Sequence, residues 1–394
     1  MPKLTITQLP LAGRRVFIRA DLNAPLAGGA VTDDTRLTAV IPTIQHALGA
    51  GASVVLASHL GRPGGKPTPK YSLRPVADRL QALLGRPVPL AADCVGAETA
   101  ARARQLRPGE LLLLENLRFH AEEEANDDGF ARELAGLADC YVNDAFAAAH
   151  RAHASIAAIT RHLQPAAAGL LMIRELEALS RIVESPECPL VAILGGAKVS
   201  DKLGLVEHLV SRVNALLIGG GMAFTFLLAL GESVGRSLVE PDRLDAARRA
   251  LDVARRRGIT LVLPVDAVVA DSPESPAGRA VGVREIPVAQ MGLDIGPKTV
   301  DCFTDALSTA RTVVWNGPMG VFEKPPFAAG TLAIARAVAA SGAFTVVGGG
   351  DTLAAINQAG VAGRIGYIST AGGAFLEFLE GRPLPGVEAL TEAA

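Results

Sequence analysis

The chain has 394 residues, 49% of them hydrophobic, 20% charged and 4% aromatic, with a formal net charge of −2. That length predicts two domains rather than one core, and the apolar share predicts a folded globular protein. Sparse aromatics and a near-neutral balance exclude a stacking platform for single-stranded nucleic acid and any general pull towards nucleic acid or an acidic membrane. Cys94, Cys140, Cys188 and Cys302 form no CxxC pair. A zinc knuckle or disulfide framework is therefore not expected, and a reducing compartment, the cytoplasm, is. The opening MPKLTITQLP lacks the apolar stretch of a signal peptide.

Along the chain one unit recurs: a short run of Val, Ile and Leu, a corner of small residues, then a helical stretch. The first half offers RRVFIRADLN, SVVLASHLG, ELLLLENLRF and CYVNDAF. A connector helix is predicted over 171–185, with Leu171, Ile173, Leu176, Leu179 and Val183 on one face and Pro186 and Pro189 ending it. The second half offers PLVAILGGAK, ALLIGGGMAF, TLVLPVDAVVA, TVVWNGPMGVF, FTVVGGGDT and IGYISTAGGA. Continuous apolar runs alternating with helices predict an α/β fold of doubly wound parallel sheets covered on both faces. The expected domains are 1–170 and 171–377, the second including the connector. Residues 213–231 carry no charge, but the glycines at their centre predict a buried strand, a corner and a buried helix rather than a membrane span.

Polar residues collect just after the apolar runs: Asp21 and Asn23, His59 and Arg62, Arg118, Asn143 and Asp144, Lys198, Asn316 and Asp351. Ligands of open parallel sheets sit beyond the carboxyl ends of the strands. The first half supplies positive charge there through Arg36, His59, Arg62, Arg118 and Arg151. Arg36 falls in the first turn of a helix starting near Asp33 or Asp34, where a cation opposes the helix dipole unless an anion lies between them. His150 and His153 have helical spacing, but no carboxylate or cysteine cluster accompanies them, so a basic lining is the better use than a metal.

The second half has a different chemistry. Lys198 and Lys202, if their helix has begun, share a face and need something negative between them. Gly348, Gly349 and Gly350 open a helix whose backbone N–H groups can meet a phosphate, with Asp351 suited to Mg²⁺ and Thr352 beside it. Glu323 can accept from ribose hydroxyls, and Gly372 and Gly373 supply further free amides. Neither a Walker A loop nor G-x-G-x-x-G occurs; GGGMAF ends in Phe224 where the third glycine would stand.

RADLNAP, HLGRPGGKPTPKYSL, LLENLRFHAEEEAND, YVNDAFAAAHRAHAS, GGAKVSDK, MGLDIGP, WNGPMGVFE and VGGGDT occur in this order across nearly the whole chain. In these motifs the chain resembles the phosphoglycerate kinases. The resemblance implies two Rossmann-like domains joined by a helical hinge, a tail (378–394) returning to the first domain, and hinge closure during turnover. It implies reversible transfer between ATP and 3-phosphoglycerate, with Mg²⁺ accompanying ATP or ADP, in a monomer. By motif, Asp21, Asn23, Arg36, His59, Arg62, Arg118 and Arg151 match the phosphoglycerate site. Lys202, Gly292, Asn316, Glu323, Gly349, Gly350, Asp351 and Thr352 match the nucleotide site, with Asp351 on the metal. Arg36, Lys198, Lys202, Gly372 and Gly373 are expected around the transferred phosphoryl group. Leu22, Ala20, Ala24, Ala147, Ala148, Ala371 and Phe375 depart from the family's usual residues, and Phe375 with Ala371 touches an anion-binding corner. A two-domain NAD-dependent dehydrogenase and a non-catalytic nucleotide-binding protein are the alternatives; the first lacks its fingerprint, and the second has no need of cations and nucleotide groups in separate halves.

Overall fold

A computed structural model describes residues 2–393. The chain divides into two compact units, one running up to Glu177 and resuming at Pro383, the other spanning Ala178–Arg382. Among the described residues no helix is long and apolar enough to cross a membrane.

The first unit is built on the strands β1 (Arg15–Ala20), β4 (Ser53–Ala57), β5 (Leu111–Leu113), β6 (Cys140–Asp144) and β7 (Ala166–Ala168), with a small hairpin of β2 (Leu26–Ala27) and β3 (Ala30–Val31). The sheet order is β5-β4-β1-β6-β7, and every pairing in it is parallel. Chain order runs outward from β1 in one direction and then returns to its other side, so the switch point lies between β1 and β6. Helices α1 (Thr35–Gly49), α2 (Arg74–Leu84), α3 (Ala97–Gln105), α4 (Ala121–Glu124) and α5 (Asp128–Ala135) connect the strands. α1 shows why they pack: Leu37, Val40, Ile44, Ala47 and Leu48 recur at helical spacing and are all buried. β4 and β6 are buried on both faces, as continuous apolar runs between helix layers must be.

α6 (Leu170–Val183) leaves this unit and enters the next. Asp144, at the end of β6, accepts from the Leu171 and Met172 amides at 2.8 and 3.0 Å, which satisfies two N–H groups at the helix start. Burial pushes that carboxyl up to about 6. The buried stripe of α6 is Met172, Glu175, Leu179 and Ile182, while Leu171, Ile173, Leu176 and Val183 are half-buried. The face expected from the sequence is therefore rotated, and it includes a carboxylate that apolar periodicity could not reveal.

In the second unit β8 (Leu190–Leu194), β9 (Ala215–Ile218), β10 (Thr260–Val262), β14 (Thr312–Asn316), β15 (Phe344–Gly348) and β16 (Tyr367–Ser369) form a parallel sheet in the order β10-β9-β8-β14-β15-β16. Its switch point lies between β8 and β14. Helices α7 (Leu203–Leu209), α8 (Met222–Ala229), α9 (Leu244–Arg257), α10 (Pro297–Ser308), α11 (Ala329–Ala340), α12 (Gly350–Gln358) and α13 (Gly373–Leu379) surround it. The uncharged stretch around β9 and α8 is buried strand, glycine corner and buried helix. A second, antiparallel sheet of β11 (Asp266–Ala270), β12 (Arg279–Gly282) and β13 (Met291–Ile295) was not expected. It splits TLVLPVDAVVA, read as one run, between two sheets, with Pro264 lying between its halves.

From Pro383 the chain rejoins the first unit through α14 (Pro385–Glu388) and a final extended segment. Asn143 donates to Gly386 O at 3.1 Å, the Thr391 amide donates to Ala166 O at 2.9 Å, and the Leu4 amide to Thr391 O at 2.8 Å.

Candidate active site

The polar residues of the first unit gather at the carboxyl end of β1. Asp21 directly follows that strand, and its Oδ2 pairs with Arg36 Nη1 at 2.7 Å. Arg36 is indeed in the first turn of α1, after the N-cap Asp34. Its conflict with the dipole is met in part by a protein carboxylate, not only by an awaited ligand. Asn23 Oδ1 accepts from the Gly61 amide at 2.8 Å, and Arg118 Nη1 donates to Gly61 O at 2.9 Å. These two contacts tie three strand ends together.

Arg19 was not singled out, although a charge inside the run RRVFIRADLN was a visible signal. It is fully buried. Its Nε donates to Ser155 Oγ at 2.8 Å, and its Nη2 lies 3.2 Å from His59 Nδ1. Glu123, also fully buried, accepts from Ser155 Oγ at 2.6 Å and the Ser155 amide at 2.9 Å. Burial, then Arg19 and Arg118, hold the His59 imidazole well below its usual range; burial pushes His153 down to about 3. His59 is therefore neutral, which corrects its reading as a source of charge. Arginine has only donors, so Nδ1 must accept and the ring proton sits on Nε2, available to an anion. Arg151 lies close enough to act on His59, Arg118 and His153 electrostatically, and its Nε donates to His150 Nε2 at 3.2 Å. Arg62 is exposed, and its side chain does not join the bonds that link the other residues.

The second unit's residues converge on its own switch point. Lys202 is buried, and its Nζ donates to Gly195 O at 2.5 Å and Asn316 O at 3.0 Å, the ends of β8 and β14. Burial pulls the ammonium down to about 8, against the opposing pull of Asp351. Asn316 Nδ2 donates to Gly348 O at 2.7 Å, and the Gly317 amide donates to Thr352 Oγ1 at 2.7 Å. Gly317 has φ +95, and a Cβ there would run into Lys202 Nζ, so a glycine is required. Gly349 caps α12, leaving Gly350 and Asp351 in its first turn.

Lys198 and Lys202 do not share a helical face. α7 begins only at Leu203, with Lys202 as its N-cap, and Lys198 is exposed in the loop before it. Two glycines upstream let the chain turn before the helix starts, which the spacing alone concealed.

Beside this corner lies a cavity of about 340 Å³, with Phe224, Leu238, Met291, Leu293 and Val321 among its walls and Gly196, Gly220 and Gly292 bringing backbone close. Glu323 and Asp351 also line it. Apolar walls with a few polar groups suit a flat heterocycle joined to polar substituents. Asp294, missed from the sequence, lines the same cavity; burial pushes its carboxyl up to about 7 although the Gly330 and Ile295 amides donate to it. Gly372 caps α13 and Gly373 begins it, both exposed. Phe375 does not disturb that corner by filling it: its ring is buried beneath Gly348, where a Cβ would crowd it.

A family model described as phosphoglycerate kinase matches residues 6–382. The chain belongs to the phosphoglycerate kinase family. The phosphoglycerate kinase of Moorella thermoacetica is 56% identical over 393 residues, covering 100% of both chains. That of Koribacter versatilis is 55% identical over 401 residues, covering 99% of this chain and 100% of that one. Among solved structures, phosphoglycerate kinase from Coxiella burnetii aligns with a TM-score of 0.91 at 44% identity, covering 98% of each chain. The one from Pyrococcus horikoshii OT3 aligns at 0.85 and 35% identity, again covering 98% of each. Membership makes the protein a kinase acting with ATP and ADP, and neither the dehydrogenase nor the non-catalytic alternative is supported.

The family's nucleotide calls for a hard cation. Asp351 offers an exposed carboxylate on the cavity wall, and among the described residues no ion pair occupies it. One carboxylate plus phosphate oxygens is the donor set Mg²⁺ accepts.

Proposed function

We propose that the chain catalyses reversible phosphoryl transfer between ATP and the carboxylate of 3-phosphoglycerate, giving ADP and 1,3-bisphosphoglycerate, as a cytoplasmic monomer. The reading rests on one observation: the strand ends of the two sheets carry complementary chemistry. The carboxyl ends of β1, β4 and β5 gather guanidinium groups and a neutral imidazole donor. The β8/β14 switch point gathers a lysine, free helix-start amides and an apolar cavity.

Asp21, Asn23, Arg36, His59, Arg62, Arg118 and Arg151 bind the phosphorylated acid. His59 Nε2–H and the guanidinium forks meet its oxygens. Lys202, Gly292, Asn316, Glu323, Gly349, Gly350, Asp351 and Thr352 bind the nucleotide, its base against the Phe224 side of the cavity and its phosphates towards α12. Asp351 would hold Mg²⁺, which supplies neutralisation of phosphate charge.

The acceptor carboxylate has an ordinary pKa near 4 and is already ionised at neutral pH, so no general base is needed. The difficulty is repulsion between an anion and a polyanion. Arg36, Lys198 and Lys202 offset it at the transferred group, with the Gly372 and Gly373 amides as further donors. Alignment then supplies the rest of the rate, and water must be excluded by closure of the domains during turnover.

The test is a coupled assay with 3-phosphoglycerate, ATP and Mg²⁺, following 1,3-bisphosphoglycerate through its reduction by NADH and a dehydrogenase. ATP consumption that depends on 3-phosphoglycerate is expected. ATP turnover indifferent to the acid would overturn the reading.

A further inference from the structure

Outside these sites the described residues contain one cluster with mixed metal-ligand chemistry. Asp93, Cys94 and His120 place a carboxylate oxygen, a thiol sulfur and an imidazole nitrogen within 4.8 Å of one another. Two elements bring them together. Asp93 and Cys94 sit in the loop after Leu90, which bridges to Leu113 in β5, and His120 is the N-cap of α4. The parts are held in place: Thr99 Oγ1 donates to Asp93 O at 2.9 Å, the Cys94 amide donates to Asp93 Oδ1 at 2.6 Å, and the His120 ring stacks on Phe130 at 5.2 Å. Cys94 is fully buried, whereas Asp93 and His120 keep 50% and 27% of their side chains exposed. The thiol is buried beside a partly exposed carboxylate and imidazole, and three protein ligands leave the fourth position of a tetrahedral ion to water.

We propose that Asp93, Cys94 and His120 form a zinc(II) site whose occupancy weakens binding of the phosphorylated acid at Arg118. Thiolate, imidazole and carboxylate together favour zinc over magnesium or calcium. On binding, a Cys94 S–zinc bond forms and the thiol proton passes to solvent. His120 Nε2 and Asp93 Oδ1 now lie 2.7 Å apart. Two ligands of one tetrahedral ion stand roughly 3.3 Å apart at bond lengths near 2.0 Å. The pair must part by roughly 0.6 Å, and His120 is joined directly to the turn Leu117–Phe119, which carries Arg118. The effect on the acid rests on the proposed function; the metal site does not.

The experiment uses the full chain with Cys188→Ser and Cys302→Ser, since those two cysteines are exposed. Cobalt(II) titration should give a thiolate charge-transfer band and tetrahedral visible bands saturating at one equivalent, displaced by zinc. Cys94→Ser should abolish the charge-transfer band, and His120→Asn should weaken cobalt binding by about tenfold or more. With zinc bound, KM for 3-phosphoglycerate should rise while KM for ATP stays constant. No band, a band that survives Cys94→Ser, or an unchanged KM for the acid at full occupancy would each overturn the proposal.

Discussion

Replacing Lys202 with Met keeps the side chain's length and removes its charge. Burial has moved the ammonium from the ordinary 10.5 to about 8, a penalty on the charged form of roughly 3 kcal/mol at 1.36 kcal/mol per pH unit. Below about pH 8 both folded and unfolded chains hold the proton, and the penalty is felt in full. Between about 8 and 10.5 the folded chain releases the proton while the unfolded chain keeps it. Stability contributed at this site therefore rises with pH. Trp315 is the sole tryptophan, buried in β14 of the same unit, so its fluorescence reports urea unfolding there. The stability of the wild type relative to Lys202→Met should increase by about 3 kcal/mol from pH 7 to above pH 10. In kinetics, kcat/KM for ATP should fall above about pH 8 and kcat only at higher pH, because bound phosphates favour the charged lysine. A stability difference that does not change with pH would refute the assignment of a charged, desolvated lysine at this switch point.

Arg36→Ala should lower turnover by about 10³-fold or more while ATP affinity, measured by binary titration, is unchanged; retained turnover would remove Arg36 from the transfer. Asp351→Asn should raise KM for Mg²⁺–ATP without altering KM for the acid, and identical kinetics would exclude Asp351 as the metal's ligand. Gly292→Ala would drive a methyl into the Phe224 ring. The resulting strain of about 1–3 kcal/mol should appear as a raised KM for ATP alone.

Most parallel strands were legible because burial on both faces leaves nearly unbroken apolar runs such as LVAIL and TVVWN. β7 was not, because Ala166, Ala167 and Ala168 carry no strand signal of their own; neighbouring β6 and the returning tail supply the context. The antiparallel sheet was hidden because β11 continues a run already read as a single strand, β12 is largely exposed, and β13 carries the buried Asp294 where periodicity expects an apolar residue. Position along the chain correctly put Asp21, Asn23, Asn316 and Asp351 at or just beyond strand ends. It could not show that Arg36 already has Asp21 as partner, that His59 is neutral, or that Lys202 turns inward onto carbonyls. Those properties come from burial and from contacts between distant segments, which spacing along the chain does not encode.

The strand ends of each sheet are proposed to hold a different reactant. Hydrogen–deuterium exchange with each ligand alone tests this most directly. 3-Phosphoglycerate should protect amides around Asp21, Arg36, Gly61 and Arg118, and Mg²⁺–ATP should protect those around Gly196, Gly292, Gly317 and Asp351. Protection of one common set of amides by both ligands would contradict the account.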